Sequence, residues 1–150
     1  MALPVPAAVE LVATLLIPKR PEDLDKLREG ILAPDGLVSG PRINGRVTMF
    51  VTGNPTAGGH GISIVAEGCI RTDDGAEVLL IDRGEWRGAD DALVRMLANE
   101  FVSPTQHYLV GIVKFQTSDS RYAWLNDGQF FSHAVGQGDR IKVSVYRPTG

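Results

Sequence analysis

The sequence predicts an all-β fold: an antiparallel β-barrel of about eight strands with one short α-helix. Three observations predict it. The 17 glycines and 9 prolines are spread over all 150 residues and cut the apolar runs into short segments; that is the punctuation of strands and turns. Thr72-Asp-Asp-Gly-Ala is flanked on both sides by apolar strand-like segments. Only Ala89–Ala98 has good helical character, with Asp90 and Asp91 at its start and Leu93, Met96 and Leu97 in one apolar stripe.

Val9–Ile17 opens the pattern and Pro18 stops it. Its near-continuous apolar character suits a strand buried on both faces, and a short helix fits the same run. Pro21–Glu29 is charged, with Leu24 and Leu27 three apart, and reads as a helical turn stopped by Gly30. Pro34-Asp-Gly and Ser39-Gly-Pro-Arg are turn chemistry. Strands follow at Arg46–Thr52 and Gly61–Arg71, joined by the flexible loop Gly53–His60. Asp74-Gly75 predicts a two-residue type I′ hairpin, and Glu77–Asp82 is its return strand. Tyr108–Thr117, Tyr122–Asn126 and Ile141–Tyr146 are the remaining strand candidates. Asn126-Asp-Gly and Gly136-Gln-Gly-Asp supply turns. Such a set fits a barrel or a sandwich. A barrel of about eight strands holds its own side chains plus one small ligand.

The length fits a single domain over 1–150, with residues 1–8 as a flexible N-terminal segment. The 15 basic and 18 acidic residues give a net charge of −3, and no run reaches five like charges. Nucleic acid is therefore not an expected partner. No apolar stretch approaches the ~20 residues of a membrane-spanning helix, so no membrane partner is expected either. The N-terminus lacks a signal-peptide pattern, which points to the cytoplasm. One cysteine, Cys69, excludes an intrachain disulfide and reads as a small buried hydrophobe. His60, His107 and His133 are scattered. No metal or other cofactor is expected, although a mixed His/carboxylate site stays open.

Four blocks carry a family resemblance. They are Gly40-Pro-Arg-Ile-Asn-Gly-Arg-Val47, Arg71-Thr-Asp-Asp-Gly-Ala76, Tyr108 with Phe115-Gln-Thr117 and Tyr122-Ala-Trp-Leu-Asn126, and Val143-x-Val-Tyr146. Together they resemble the family called domain of unknown function 3237, over about Glu10 to Tyr146. The resemblance implies a closed barrel similar to allene oxide cyclase and dirigent barrels. It implies little about chemistry, because fold is not function. The family usually has Arg where this chain has Val110, Glu at Gln116, and often an Asp-Trp pair where Thr52–His60 stands. If those positions line the lumen, this chain has an unusually apolar pocket suited to a compact hydrophobic molecule.

Strand parity then assigns faces. Tyr108, Val110, Ile112, Lys114 and Gln116 share the face that carries the family's polar positions, and that face is expected in the lumen. Tyr122, Trp124 and Asn126 share another face and offer stacking area with hydrogen-bond donors. Arg42 is a candidate anchor for a substrate oxygen or a lock for the barrel end. Lys114 is either a desolvated base or a rim residue with its head in water. The proposed catalytic set is Tyr108, Glu67 and His60. Glu67 becomes a general acid if it points inward and is an ordinary surface carboxylate if it points out. His60 suits a gate or proton shuttle. His133 is placed near the barrel mouth. Asp73 and Asp74 are read as the hairpin's own turn chemistry.

The expected function is a cofactor-independent enzyme acting on a small hydrophobic organic molecule by general acid/base chemistry. The reaction would be of lyase, isomerase, cyclase or hydratase type, and the substrate terpenoid, aromatic or polyketide-like. The alternative is a non-catalytic barrel that binds the same kind of molecule. The apolar first strand also suits a homo-oligomer.

Overall fold

The computed structural model describes residues 8–20, 23–56, 61–88 and 107–149, with backbone alone at 24, 25, 107 and 108. Eight strands follow in chain order: β1 (Ala8–Pro18), β2 (Ile31–Ser39), β3 (Gly45–Pro55), β4 (Gly61–Thr72), β5 (Glu77–Gly88), β6 (His107–Gln116), β7 (Phe130–Gln137) and β8 (Arg140–Thr149). Each pairs antiparallel with the next, and β8 returns to β1, closing the barrel. Closure satisfies the backbone groups that an open sheet leaves unpaired at its edges.

The short helix is α1, Asp23–Lys26, within the helical turn expected at Pro21–Glu29. The helix expected at Ala89–Ala98 lies outside the described residues. Among the described residues no helix is long and apolar enough to cross a membrane. No group of three His, Cys, Asp or Glu is placed there to hold a metal ion.

Several local expectations are corrected. Pro34-Asp-Gly is not a turn; it is a bulge inside β2, where the register slips between Ala33 and Gly36. Proline is tolerated in a strand at such a point because no ladder hydrogen bond is demanded of it. Tyr122–Asn126 is not a strand. Ser120–Leu125 forms a 3-10 helix, capped by the Asp119 side chain, which accepts from the Arg121 N–H. The eighth strand is instead β7. The β4–β5 hairpin has a three-residue loop, not a two-residue one. The Gly75 N–H donates to Thr72 O, Thr72 pairs with Ala76, and Gly75 takes φ +91. A first turn followed by a left-handed glycine is the usual three-residue solution. β1 also has solvent on one side: Val9 and Leu11 are exposed while Val12, Ala13, Leu15 and Ile17 are buried.

Alternation gives each strand an inner and an outer face, but the inside is filled unevenly. At the end carrying the β4–β5 hairpin, Ile43, Val47, Ile70, Val78 and Leu125 are fully buried. Phe130 stands edge-on to Phe115 at 5.0 Å between centroids. The 3-10 helix lies across this end, tied by Tyr122, whose hydroxyl reaches both Asp74 carboxylate oxygens at 2.9 and 2.8 Å. Arg121 reinforces the lock through Asp119 at 2.8 Å and Asp74 at 3.4 Å. This end is solid; the hollow lies towards the other.

Candidate functional site in the barrel lumen

Two contiguous spaces of about 100 Å³ each occupy the hollow part of the barrel. They share walls at Ile17, Val51, Ile64, Leu109 and Ile141. The inner space is almost wholly aliphatic and aromatic, with Leu15, Met49, Leu80 and Phe115 among its walls. Among the described residues two polar side chains break that surface, Asp82 and Ser132.

Asp82 follows Val78 and Leu80 on the inner face of β5, which is why a carboxylate ends up inside. Ser132, buried on β7, donates its hydroxyl to Asp82 Oδ2 at 2.6 Å. The strand between them is β6, where Gly111 pairs with Ser132 and Val113 with Asp82. A side chain at 111 would collide with Asp82 Oδ1 and approach Ser132 Oγ at 3.1 Å. Glycine there leaves the room in which the pair meets. Burial pushes the Asp82 carboxyl above the ordinary carboxylate range, and the Ser132 hydrogen bond works against that rise. A raised proton affinity keeps more of the carboxyl in its acid form than a free aspartate keeps, and that is the form a general acid needs.

The outer space has a different polar set. Lys19, Asp23 and Trp86 line it, and all three are buried. Lys19 Nζ donates to Gly138 O at 2.6 Å, joining the end of β1 to the β7–β8 turn. Burial lowers the Lys19 ammonium from its ordinary range, opposed by the charge of Asp139. Asp23 Oδ2 accepts from the Arg20 N–H at 2.8 Å. Trp86 packs against Ile62, Ile64 and Leu109.

The side chains singled out in the sequence lie elsewhere. Val110 is 43% exposed and Ile112 65%, so the β6 face expected inside is the outer one. The inner face is Leu109, Gly111, Val113 and Phe115. Glu67, Lys114 and Gln116 are exposed, and with Asn126 they line one shallow depression on the outside. The structure thus brings four expected site residues together on the outer side of the wall, where Glu67 is a surface carboxylate and Lys114 has its head in water. The outward positions of Val110 and Gln116 also remove the argument that the family departures there make the pocket apolar; the aliphatic inner faces do so. Tyr122 locks the solid end, and Asn126 brackets Thr117, accepting from its N–H at 2.8 Å and donating to its carbonyl at 2.9 Å. Trp124 is half-buried at the solid end with the exposed Arg42 guanidinium 3.9 Å from its ring centre. Arg42 therefore sits far from the hollow and stacks on an indole. His133 is exposed on the outer wall, and Cys69 is half-buried with outward parity. His60 lies outside the described residues, as does the Tyr108 side chain, whose backbone pairs with Arg87.

A family model described as protein of unknown function (DUF3237) matches residues 7–148. The chain belongs to this family. A UPF0311 protein of Bradyrhizobium diazoefficiens is 28% identical to the DUF3237 chain over 116 residues, covering 71% of the chain and 76% of that protein. The crystal structure of a conserved protein of unknown function from Rhodopseudomonas palustris superposes with a TM-score of 0.77 at 22% identity, covering 99% of this DUF3237 chain and 100% of the other. A crystal structure described as an enzyme from Penicillium herquei superposes with a TM-score of 0.57 at 21% identity, covering 98% and 99%. At these identities the two structures share the barrel.

Asp82 and Ser132 escaped the sequence reading. Val78-Leu79-Leu80-Ile81 is apolar in both phases, so hydropathy does not say which face of the strand carries Asp82.

Proposed function

We propose that this DUF3237 barrel binds a compact hydrophobic organic molecule in its lumen and moves a proton on it, with Asp82 as the acid/base group. The observation that carries this reading is the Asp82–Ser132 pair, a titratable group held in an otherwise apolar hollow. A protonated Asp82 donates to a carbonyl, enol or ether oxygen of the guest. The carboxylate left behind, stabilised by the Ser132 hydrogen bond, takes a proton from a carbon of the same guest, which restores the acid and completes an isomerisation or an elimination. No redox step enters, so the reaction class is isomerase, lyase, cyclase or hydratase. Positioned proton transfer of this kind contributes roughly 10²–10⁴-fold, and confinement of the guest adds to it. That a similar barrel from Penicillium herquei is described as an enzyme supports a catalytic use of the fold.

The test incubates the wild type with a small-molecule extract and follows depletion and new products by mass spectrometry. Asp82→Asn keeps the shape and the acceptor for Ser132 but cannot donate a carboxylic proton. It is expected to retain the guest and form no product. Equal product formation by wild type and Asp82→Asn would overturn the catalytic role. Retention of a guest without product by either protein would leave a binding barrel.

A further inference from the structure

We infer that the two spaces of the lumen form one elongated site divided by an apolar collar, and that its guest is a ring-sized body with a short apolar tail that passes the collar. The collar is Ile17, Val51, Ile64, Leu109 and Ile141, the residues that line both spaces. They come from β1, β3, β4, β6 and β8, so they stand around the cylinder rather than on one wall. Val51, Ile64, Leu109 and Ile141 are half-buried, whereas Val47 and Val78 on the inner face of the solid end are fully buried. The collar thus keeps surface that a guest can cover. On β5 the residue paired with Ile64 is Gly84, which adds no side chain to the collar. Asp82 stands two residues away on the same strand and in the same phase.

Size sets the class of guest. Each space holds about 100 Å³, and a dry cavity of about 150 Å³ accepts a benzene ring. One space is smaller than a ring asks for; the two joined exceed it by the room of a short chain. Polarity sets the direction. Asp82 and Ser132 stand in the inner space, and the reacting oxygen belongs there. In the outer space Lys19 and Asp23 are tied to the chain's own backbone, at Gly138 O and the Arg20 N–H. Much of the remaining wall is aliphatic, with Ile31, Ala33 and Ile62 in it, so the outer space takes the tail. Burial of a non-reacting tail holds the reacting end beside the acid. The inference rests on the reading of the lumen as a ligand site and adds the shape of the molecule it takes.

The experiment titrates the full chain with the series benzene to n-propylbenzene, guests without oxygen that report shape alone. In the wild type, affinity is expected to rise about fourfold per methylene. Leu80 lines only the inner space and Ile62 only the outer. The ring and the terminal methyl of bound n-propylbenzene should give nuclear Overhauser contacts to opposite members of that pair. Ala134→Leu then fills part of the inner space and Ala33→Leu part of the outer. Each adds three carbons, the size of the tail, so each is expected to weaken n-propylbenzene at least tenfold while benzene loses less than threefold. The series and the contacts are read on the wild type, so they stand even if a variant folds poorly. A flat series, or contacts to one side of the collar alone, overturns the elongated site and leaves the lumen as a ligand site. A variant that leaves n-propylbenzene unchanged, or equal loss of both guests, also overturns it. Binding of no member of the series overturns both readings.

Discussion

Asp82 and Ser132 meet inside the barrel although their strands do not touch: β6 runs between β5 and β7, and the 2.6 Å hydrogen bond crosses it over Gly111. One missing side chain thereby permits a contact between second-neighbour strands. The pair's chemistry depends on a residue that has no chemistry of its own.

Gly111→Ala is expected to destabilise the protein by about 1–3 kcal/mol, the usual cost of an intruding methyl in a packed interior. The added carbon lands on Asp82 Oδ1 and drives the carboxylate off Ser132. Combining it with Asp82→Ala should recover much of the loss, because the collision partner is gone. Denaturant unfolding of the four proteins in the double-mutant cycle reads the coupling.

Stability should depend on pH through Asp82 with a definite sign. Its folded-state pKa is raised by burial. The favourable contribution is therefore complete below the unfolded carboxylate value of about 3.9 and is lost as pH rises through the folded value. Asp82→Asn is expected to melt above the wild type at neutral pH, with the gap shrinking as the solution is acidified towards pH 4. Thermal melts of both proteins across that window check it.

The solid end should show the opposite sign. Hydrogen bonds from Thr72, then Tyr122, hold the Asp74 carboxyl below its ordinary range. That contribution is present above the unfolded value and is lost as pH falls through the folded one. Tyr122→Phe is expected to lower the melting temperature at neutral pH by about 2–4 °C, the scale of a modest loss in a chain of this size. The difference should fade in acid.

Leu125→Ala removes a side chain that is 0% exposed beneath the 3-10 helix. A cost of about 2–5 kcal/mol is expected. Because Leu125 lines neither space of the lumen, retention of a guest by the folded fraction should stay unchanged, which mass spectrometry of the purified protein below the melting transition measures.

Much of the barrel was readable because glycines, prolines and the Asp73-Asp74-Gly75 hairpin cut the chain into strand-length segments. Ile62, Ile64 and Ala66 share one phase and Glu67 the other, as solvent exposure of Glu67 now reports. β6 defeated the same logic. Val110 and Ile112 are apolar yet exposed, so hydropathy does not distinguish its two faces. The polar positions of the resemblance then pulled the assignment the wrong way. The 3-10 helix was missed for another reason. Tyr122, Trp124 and Leu125 have strand-like composition, and the deciding signal is the capping Asp119. Side-chain capping outweighs β-propensity over so short a segment.

The β1–β2 seam has a dynamic consequence. Only Thr14 to Leu16 are in register with Leu37 to Ser39, whereas β1 and β8 pair over nearly their full lengths. Breathing of the cylinder concentrates where the fewest rungs must part, so amide deuteration should proceed faster at the start of β2 than in β4 or β5. The wall beside the hollow is held by its shortest zipper, and the plugged half anchors it while it opens.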